Sequence, residues 1–466
     1  MIVDRGIPTI AQAARQIKAG LLSPVTLVEN CLNRIEKHDS VINAFHTVFS
    51  EQAMIDAKQA EKEIEGGKYR GPLHGIPIGL KDVFYLKNHK TTANSRVMAE
   101  FEAEEDATVI TRLREAGSIF MGQLNTYEFT FGGRPTFDAL YPPARNPWNI
   151  DRSTGGSSSG SGAAVAAGFC LGALGSDAGG SIRTPSAFCG IAGMKATFGR
   201  VSAFGDLPLS FSFDCVGPMT WTSEDSALML QVLAGYDERD PGSVDMPVAD
   251  YVSQLDKGVQ GLKIGFIRHF FTTDFSAPPV ITQAIDAMST TLEDMGAIVD
   301  EVQVSPLIDW HAVGRIILPA EAYAIHEENL QNRWEDFGPL ARNRMMLGSL
   351  VRAVDYIQAQ RRRTELLGEI ETTLRNHDIL ITTAMLTPQP PLDDKAPFPF
   401  LDVPMIAVPF NLTLHPVQTV RAGFFEDGMP IGAQIVGRHW EEATVLRVAH
   451  AFEKKAGLLK QYPNLD

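Results

Sequence analysis

Cysteine is scarce, positive charge is in the minority and no long apolar run occurs, and each shortage removes a class of protein. Only four cysteines occur in 466 residues, at positions 31, 170, 189 and 215. They show neither paired metal spacing nor a dense framework, which excludes a disulfide-stapled scaffold and a zinc ribbon. Cys170 and Cys189 stand among apolar neighbours, so buried free thiols in a reducing compartment are expected. Met1 to Ile10 has no apolar h-region, and the longest small-apolar stretch, Ala163 to Leu174, is Gly-interrupted and too short to span a bilayer. A soluble, cytoplasmic protein without membrane association is the expectation. Basic residues number 41 against 56 acidic ones, a formal charge of −15. Neutralising phosphates needs a clustered basic face, and none exists, so no nucleic acid is expected as partner. The densest basic run, Arg361 to Arg363, sits in a helical pattern near Glu365 and reads as a solvated face.

What is present is ordinary for a globular enzyme: 44% hydrophobic and 21% charged residues. Thr9 with Gln12 makes a capping box, and Ser23 before Pro24 an N-cap with proline at the first helical position. An apolar run ending at Lys81, a helical pattern from about Ala107 to Gly117 and a second run from Ser118 to Leu124 predict βαβ organisation. Strands are predicted in Leu262 to Phe271, Ile298 to Val304 and Ile379 to Ala384, with a helix near Val280 to Met295. Asp427-Gly428 between Thr419 to Phe425 and Met429 to Val436 predicts a hairpin. No repeat or long linker divides the chain, so one interwoven domain over 1–466 is expected. Its least patterned stretch, about Pro306 to Pro399, reads as a subregion covering the site.

From Gly155 to Gly199 the composition turns to Gly, Ser and Ala. Gly156-Ser157-Ser158-Ser159-Gly160 matches the Gly-x-Ser-x-Gly elbow, which would make Ser158 a nucleophile, but the elbow requires a strand directly before it, and the preceding residues are turn-like. His415 and His439 stand late enough to serve as its base, yet nothing around either marks one. No phosphate-binding or dinucleotide glycine pattern occurs. What remains is a serine-rich loop, a second Gly-Gly-Ser at 179–181 and a lysine ending an apolar run. A serine hydroxyl needs a base, and a lysine kept neutral by desolvation can be one. Lys81 is the candidate. A strand-end lysine paired with Asp82 in solvent is the plainer reading, and Lys195 is a rival base.

Gly155 to Ser161, Gly175 to Arg183 and Gly190 to Arg200 together resemble the signature stretch of the amidase-signature family. Gly71 to Pro77 running into Lys81-Asp82, Asn146-Pro147-Trp148, Gly217-Pro218-Met219, Phe410-Asn411 and Gly428 to Gly437 are similar to it as well. About Leu262 to Pro399 carries none of the likeness. The resemblance implies an α/β fold with a large central mixed sheet flanked by helices on both faces, with the signature core at about 71–220. It implies Lys81, Ser157 and Ser181 as the catalytic set, a cis bond before Ser157, a structural role for Lys195, and no metal or other cofactor.

The implied mechanism has Ser181 attack a carbonyl while Lys81, working through Ser157, moves the protons. Backbone N–H groups of Ala178, Gly179, Gly180 and Ser181 would hold the oxyanion, and Ser158, Asp177 and Arg183 would support the loop. Ser176 stands where the family usually has threonine. Gly122 to Phe129 is only similar to the family's run, and Leu414-His415-Pro416 replaces a common Gly-x-Pro. The expected activity is amidohydrolysis of a small amide or carbamate. Trp310, Trp334, Met345 and Met346 suggest an apolar or aryl substrate. An amidase subunit of a tRNA-dependent amidotransferase, which would require partner subunits, and an inactive amidase-like scaffold are the alternatives.

Overall fold

The computed structural model describes residues 6–132, 138–393 and 403–465. The first five residues of the N-terminal stretch, the last residue of the chain and the 394–399 end of the expected covering subregion lie outside the described residues. The main sheet has 11 strands in the order β1-β3-β2-β6-β8-β7-β12-β13-β11-β9-β10. They are β1 (Phe45–Val48), β2 (Pro77–Lys81), β3 (Ile119–Leu124), β6 (Gly172–Asp177), β7 (Ala192–Lys195), β8 (Cys215–Thr220), β9 (Lys263–Phe266), β10 (Ile298–Glu301), β11 (Ile379–Thr383), β12 (Val417–Phe424) and β13 (Pro430–Gly437). A separate ribbon pairs β4 (Arg145–Asn146) with β5 (Asn149–Ser153).

The sheet is mixed. β2 is parallel to β3 and β6, and β9 is parallel to β10 and β11, while β6, β8, β7, β12, β13 and β11 pair antiparallel in turn. β2, β3, β6, β7, β8, β11 and β13 are buried at every position. Successive side chains point to opposite faces, so a strand buried throughout is covered on both, which is why these segments read as continuous apolar runs. Both edges are four-residue strands with exposed positions, and β10 ends on Asp300 and Glu301, which blunts that edge against further pairing.

Helix 159–167 (Ser159–Ala167) is buried on every side and packs against β2, β3, β6 and β8. Its Gly, Ser and Ala composition follows from that position: a Cβ on Gly160 would lie 2.4 Å from the Ala44 carbonyl oxygen and 2.5 Å from the Asn125 nitrogen. The predicted βαβ unit is present as β2, helix Thr108–Glu115 and β3, and the Asp427-Gly428 hairpin as β12 and β13. Leu262 to Phe271 departs from expectation, since the strand stops at Phe266 and His269–Thr272 is helical. The stretch without clear pattern contains two long helices, Leu307–Asn332 and Ala353–Asn376. Nor is the 361–363 run wholly a solvated face: Arg363 is half-buried, donates to the Leu412 carbonyl and lies over the Phe213 ring. All four cysteines are buried thiols.

Candidate active site

Parallel strands place their carboxyl ends at one end of a sheet, and in α/β proteins ligands gather there. Lys81 ends β2, Leu124 ends β3 and Asp177 ends β6, so Lys81, the 125–128 turn and the 177–181 loop meet by topology. Lys81 is 1% exposed, and its Nζ donates to Ser157 Oγ at 2.8 Å and to Ser176 Oγ at 2.9 Å. The reading of a solvated Lys81–Asp82 pair is overturned, because Asp82 turns instead to Thr92, Gln123 and His46. Burial holds the Lys81 amine at about 8, far below an ordinary lysine, against the opposing pull of Asp206, Asp177 and Asp214.

The Gly156–Ser157 peptide bond is cis. A Cβ on Gly156 would stand 2.3 Å from the Tyr127 ring, so the position accepts only glycine while that ring is in place. Ser157 is anchored through its carbonyl, which accepts from Tyr127 N–H at 3.1 Å and Thr126 Oγ1 at 3.0 Å. Ser158, the residue the elbow pattern singles out, is fully buried, and its Oγ lies 3.4 Å from the Ser176 carbonyl. Its N–H donates to the Ser181 carbonyl at 3.2 Å, tying the two serine loops together.

Asp177 and Arg183 form a buried bidentate pair, with Nε to Oδ2 and Nη2 to Oδ1 both at 3.0 Å. Burial alone would raise the Asp177 carboxyl, but the Arg183 guanidinium outweighs it and holds the group well below the usual carboxylate range. Arg183 also donates to the Ala407 carbonyl and Gln434 Oε1, while Asn411 Nδ2 donates to Asp177 Oδ1 at 2.8 Å. The loop is thereby fixed to the far half of the sheet. Gly180 departs from the expected set of free donors, because its N–H donates to Asp177 Oδ1 at 2.8 Å. Among the described residues no acceptor takes the N–H groups of Ala178, Gly179 and Ser181.

Lys195 is buried apart from the two serines, with Nζ on the Ala196 carbonyl at 3.1 Å. His415 and His439 lie together against Glu371. Two carboxylates that no sequence pattern marked, Asp206 and Asp214, feel the Lys81 charge; burial pushes Asp214 up to about 7 and Asp206 well above its ordinary value. The 205–207 turn joins the chain just beyond Lys81, through Tyr85 N–H to the Gly205 carbonyl and Leu207 N–H to the Val83 carbonyl. Nothing local in the sequence announces that return.

Ser157, Gly179 and Ser181 line a cavity of about 430 Å³. Its other walls are mostly apolar, with Phe131, Leu209, Leu318, Met385, Leu386 and Met405 beside the guanidinium-bearing Arg344. Leu318, Arg344 and 384–387 belong to the expected covering subregion. Of the aromatic and methionine residues expected there, Trp310 is buried against the Ser305 carbonyl and Trp334 stacks on Arg342 near the surface, and neither they nor Met345 and Met346 line the cavity.

A mixed sheet of this size with a buried Gly-Ser-Ala helix leading from its parallel strands is the architecture of the amidase-signature enzymes. The chain belongs to the Amidase family, whose model matches residues 26–446, including the stretch in which no likeness was legible. The A subunit of glutamyl-tRNA(Gln) amidotransferase from Chloroflexus aggregans (strain MD-66 / DSM 9485) is 37% identical over 482 aligned residues that cover 98% of each chain. Among solved structures, a chain of a vestigial protein complex bearing on the origins of an s-triazine catabolic enzyme is similar at TM-score 0.89 and 31% identity, over 98% of this chain and 100% of that one. A bacterial aryl acylamidase of the amidase-signature family is similar at TM-score 0.86 and 26% identity, over 97% of each. None of the helices among the described residues is long and apolar enough to cross a membrane.

Proposed function

We propose that this chain cleaves the C–N bond of an amide by acyl transfer to Ser181, with Ser157 and Lys81 as the proton relay. The observation that carries this reading is the 2.8 Å contact from Lys81 Nζ to Ser157 Oγ, buried behind the cavity that Ser181 lines. Ser181 Oγ attacks the carbonyl carbon, its proton passes to Ser157 Oγ, and the Ser157 proton passes to neutral Lys81. The N–H groups of Ala178, Gly179 and Ser181 face the developing oxyanion; one such donor is typically worth about 3 to 4 kcal/mol in the transition state. Collapse breaks the C–N bond, and the amine leaves with the proton returned through Ser157. Water then attacks the acyl-enzyme by the same relay and restores Ser181.

Two finer readings divide on the substrate. The whole-length identity to a glutamyl-tRNA(Gln) amidotransferase chain supports an amidase subunit that releases ammonia from a primary amide for a partner protein, and this reading has the stronger support. The mostly apolar cavity wall supports the second, a self-sufficient amidase acting on a small aryl amide or carbamate. The test is turnover by the purified chain alone, with Ser181→Ala as control. Ammonia from L-glutamine, raised by added amidotransferase subunits, favours the first reading; release of aryl amine at rates far above ammonia favours the second. If Ser181→Ala retains the wild-type rate on every substrate turned over, the relay itself is wrong.

A further inference from the structure

Apart from the cavity, the described residues contain one group of three side chains with metal-ligating chemistry: Glu371, His415 and His439, whose ligand atoms lie within 4.8 Å of one another. Three separate elements supply them. Glu371 is on helix Ala353–Asn376, His415 just precedes β12 and His439 just follows β13. His439 Nε2 lies 2.8 Å from the Thr413 carbonyl oxygen, and a carbonyl can only accept, so Nε2 carries a proton. In a neutral ring Nδ1 then presents a lone pair, and it faces Glu371 Oε1 at 2.9 Å. Two acceptors meet there, an arrangement that calls for a positive charge between them. His415 Nε2 stands 3.2 Å from the same oxygen. That ring is fully buried, and among the described residues neither of its nitrogens has a hydrogen bond of good geometry.

We propose that Glu371 Oε1, His415 Nε2 and His439 Nδ1 bind one divalent transition-metal ion of the zinc type. Two imidazoles and a carboxylate suit that class of ion, and bonds of about 2.0 to 2.2 Å set tetrahedral ligand atoms about 3.4 Å apart, which the spacing here can meet. The Thr413 carbonyl supplies the outer hydrogen bond that fixes the tautomer of a metal-binding histidine. The imidazole rings stack at 4.0 Å and 14°, so binding turns one of them about its Cβ–Cγ bond to converge the lone pairs. The Glu371 side chain is 40% exposed, which leaves an entry path and room for water as a further ligand. The ion would clip helix 353–376 to the ends of β12 and β13, the second of which holds Gln434 against Arg183.

Untagged protein, stripped with a chelator and dialysed, is titrated with Zn²⁺ and separately with Co²⁺. The expected result is one ion bound per chain, a raised Tm, and cobalt absorption bands of low coordination number. Glu371→Gln and the half-exposed His439→Gln should each weaken binding by about tenfold or more while keeping the fold by circular dichroism. Absence of uptake by wild-type protein, or uptake unchanged in both variants, overturns the proposal. So does nitrogen NMR showing both His439 nitrogens protonated with one equivalent of Zn²⁺ present, since an imidazolium–carboxylate pair then accounts for the contact.

Discussion

Ser181 is half-exposed in the cavity and bears no structural hydrogen bond through its Oγ among the described residues, so Ser181→Ala should leave the fold intact and lower kcat by more than about 10³-fold. On the proposed relay, the acid limb of the rate profile belongs to Lys81. A base works unprotonated, and burial sets the amine at about 8, so kcat/KM should rise with pH through that value and level off above it. Lys81→Met should remove both the limb and most of the activity, as measured by kcat/KM from pH 6 to 10. Gly156→Ala should be nearly as harmful for a steric reason: the added methyl meets the Tyr127 ring, which must move and take the Ser157 carbonyl contact with it. Overpacking of this kind costs about 1 to 3 kcal/mol, which a Tm comparison reads.

Among the elements, the 177–183 loop depends on a charge pair without solvent. Arg183→Ala would leave the Asp177 carboxylate buried and unpaired, and breaking one side of such a pair costs about 3 to 5 kcal/mol. Denaturant unfolding should show that loss, and Arg183→Lys should recover little of it because Lys lacks the planar fork. This pair was expected only through the resemblance to the family motif, whereas β2, β3 and the Asp427-Gly428 hairpin were legible directly, because strands buried on both faces and tight turns leave local signatures. Helix 307–332 left none: it carries Pro319, its buried positions spread from Val313 through Trp310 to His326 and Leu330 around most of the helix, and Glu321 and His326 are among them, so no single apolar stripe forms. Asp206, Asp214 and the Glu371–His415–His439 group were equally hidden, since each depends on segments brought together by the sheet order. Ser176 was noted only as a departure, yet it shares the Lys81 amine with Ser157.

For the molecule as a whole, pH should set stability against the activity expected of the proposed Lys81 relay. Burial raises Asp39 to about 6, Asp214 to about 7 and Glu453 to about 8, so the folded state holds protons there that the unfolded chain has released, and stability falls as pH rises through each window. Burial lowers His311 and His326 to about 4, which works in the opposite direction between about 4 and 6.5. Up to about 6 the three carboxylates outnumber the two imidazoles, from there to about 6.5 two face two, and above it Asp214 and Glu453 remain. Tm should therefore decline from about pH 6.5 toward 8, the range in which the proposed Lys81 relay has kcat/KM still climbing. Calorimetry across that range checks the first half, and Glu453→Gln should flatten the decline.

Helix 159–167 has no face toward water and no partial opening that would spare the sheet, because β2, β3, β6 and β8 all rest on it. Its amide protons can meet deuterium only when the whole chain comes apart. The deuteration rate of this one peptide should thus serve as an internal clock for global unfolding, unaffected by ligands that rearrange only the rim of the cavity.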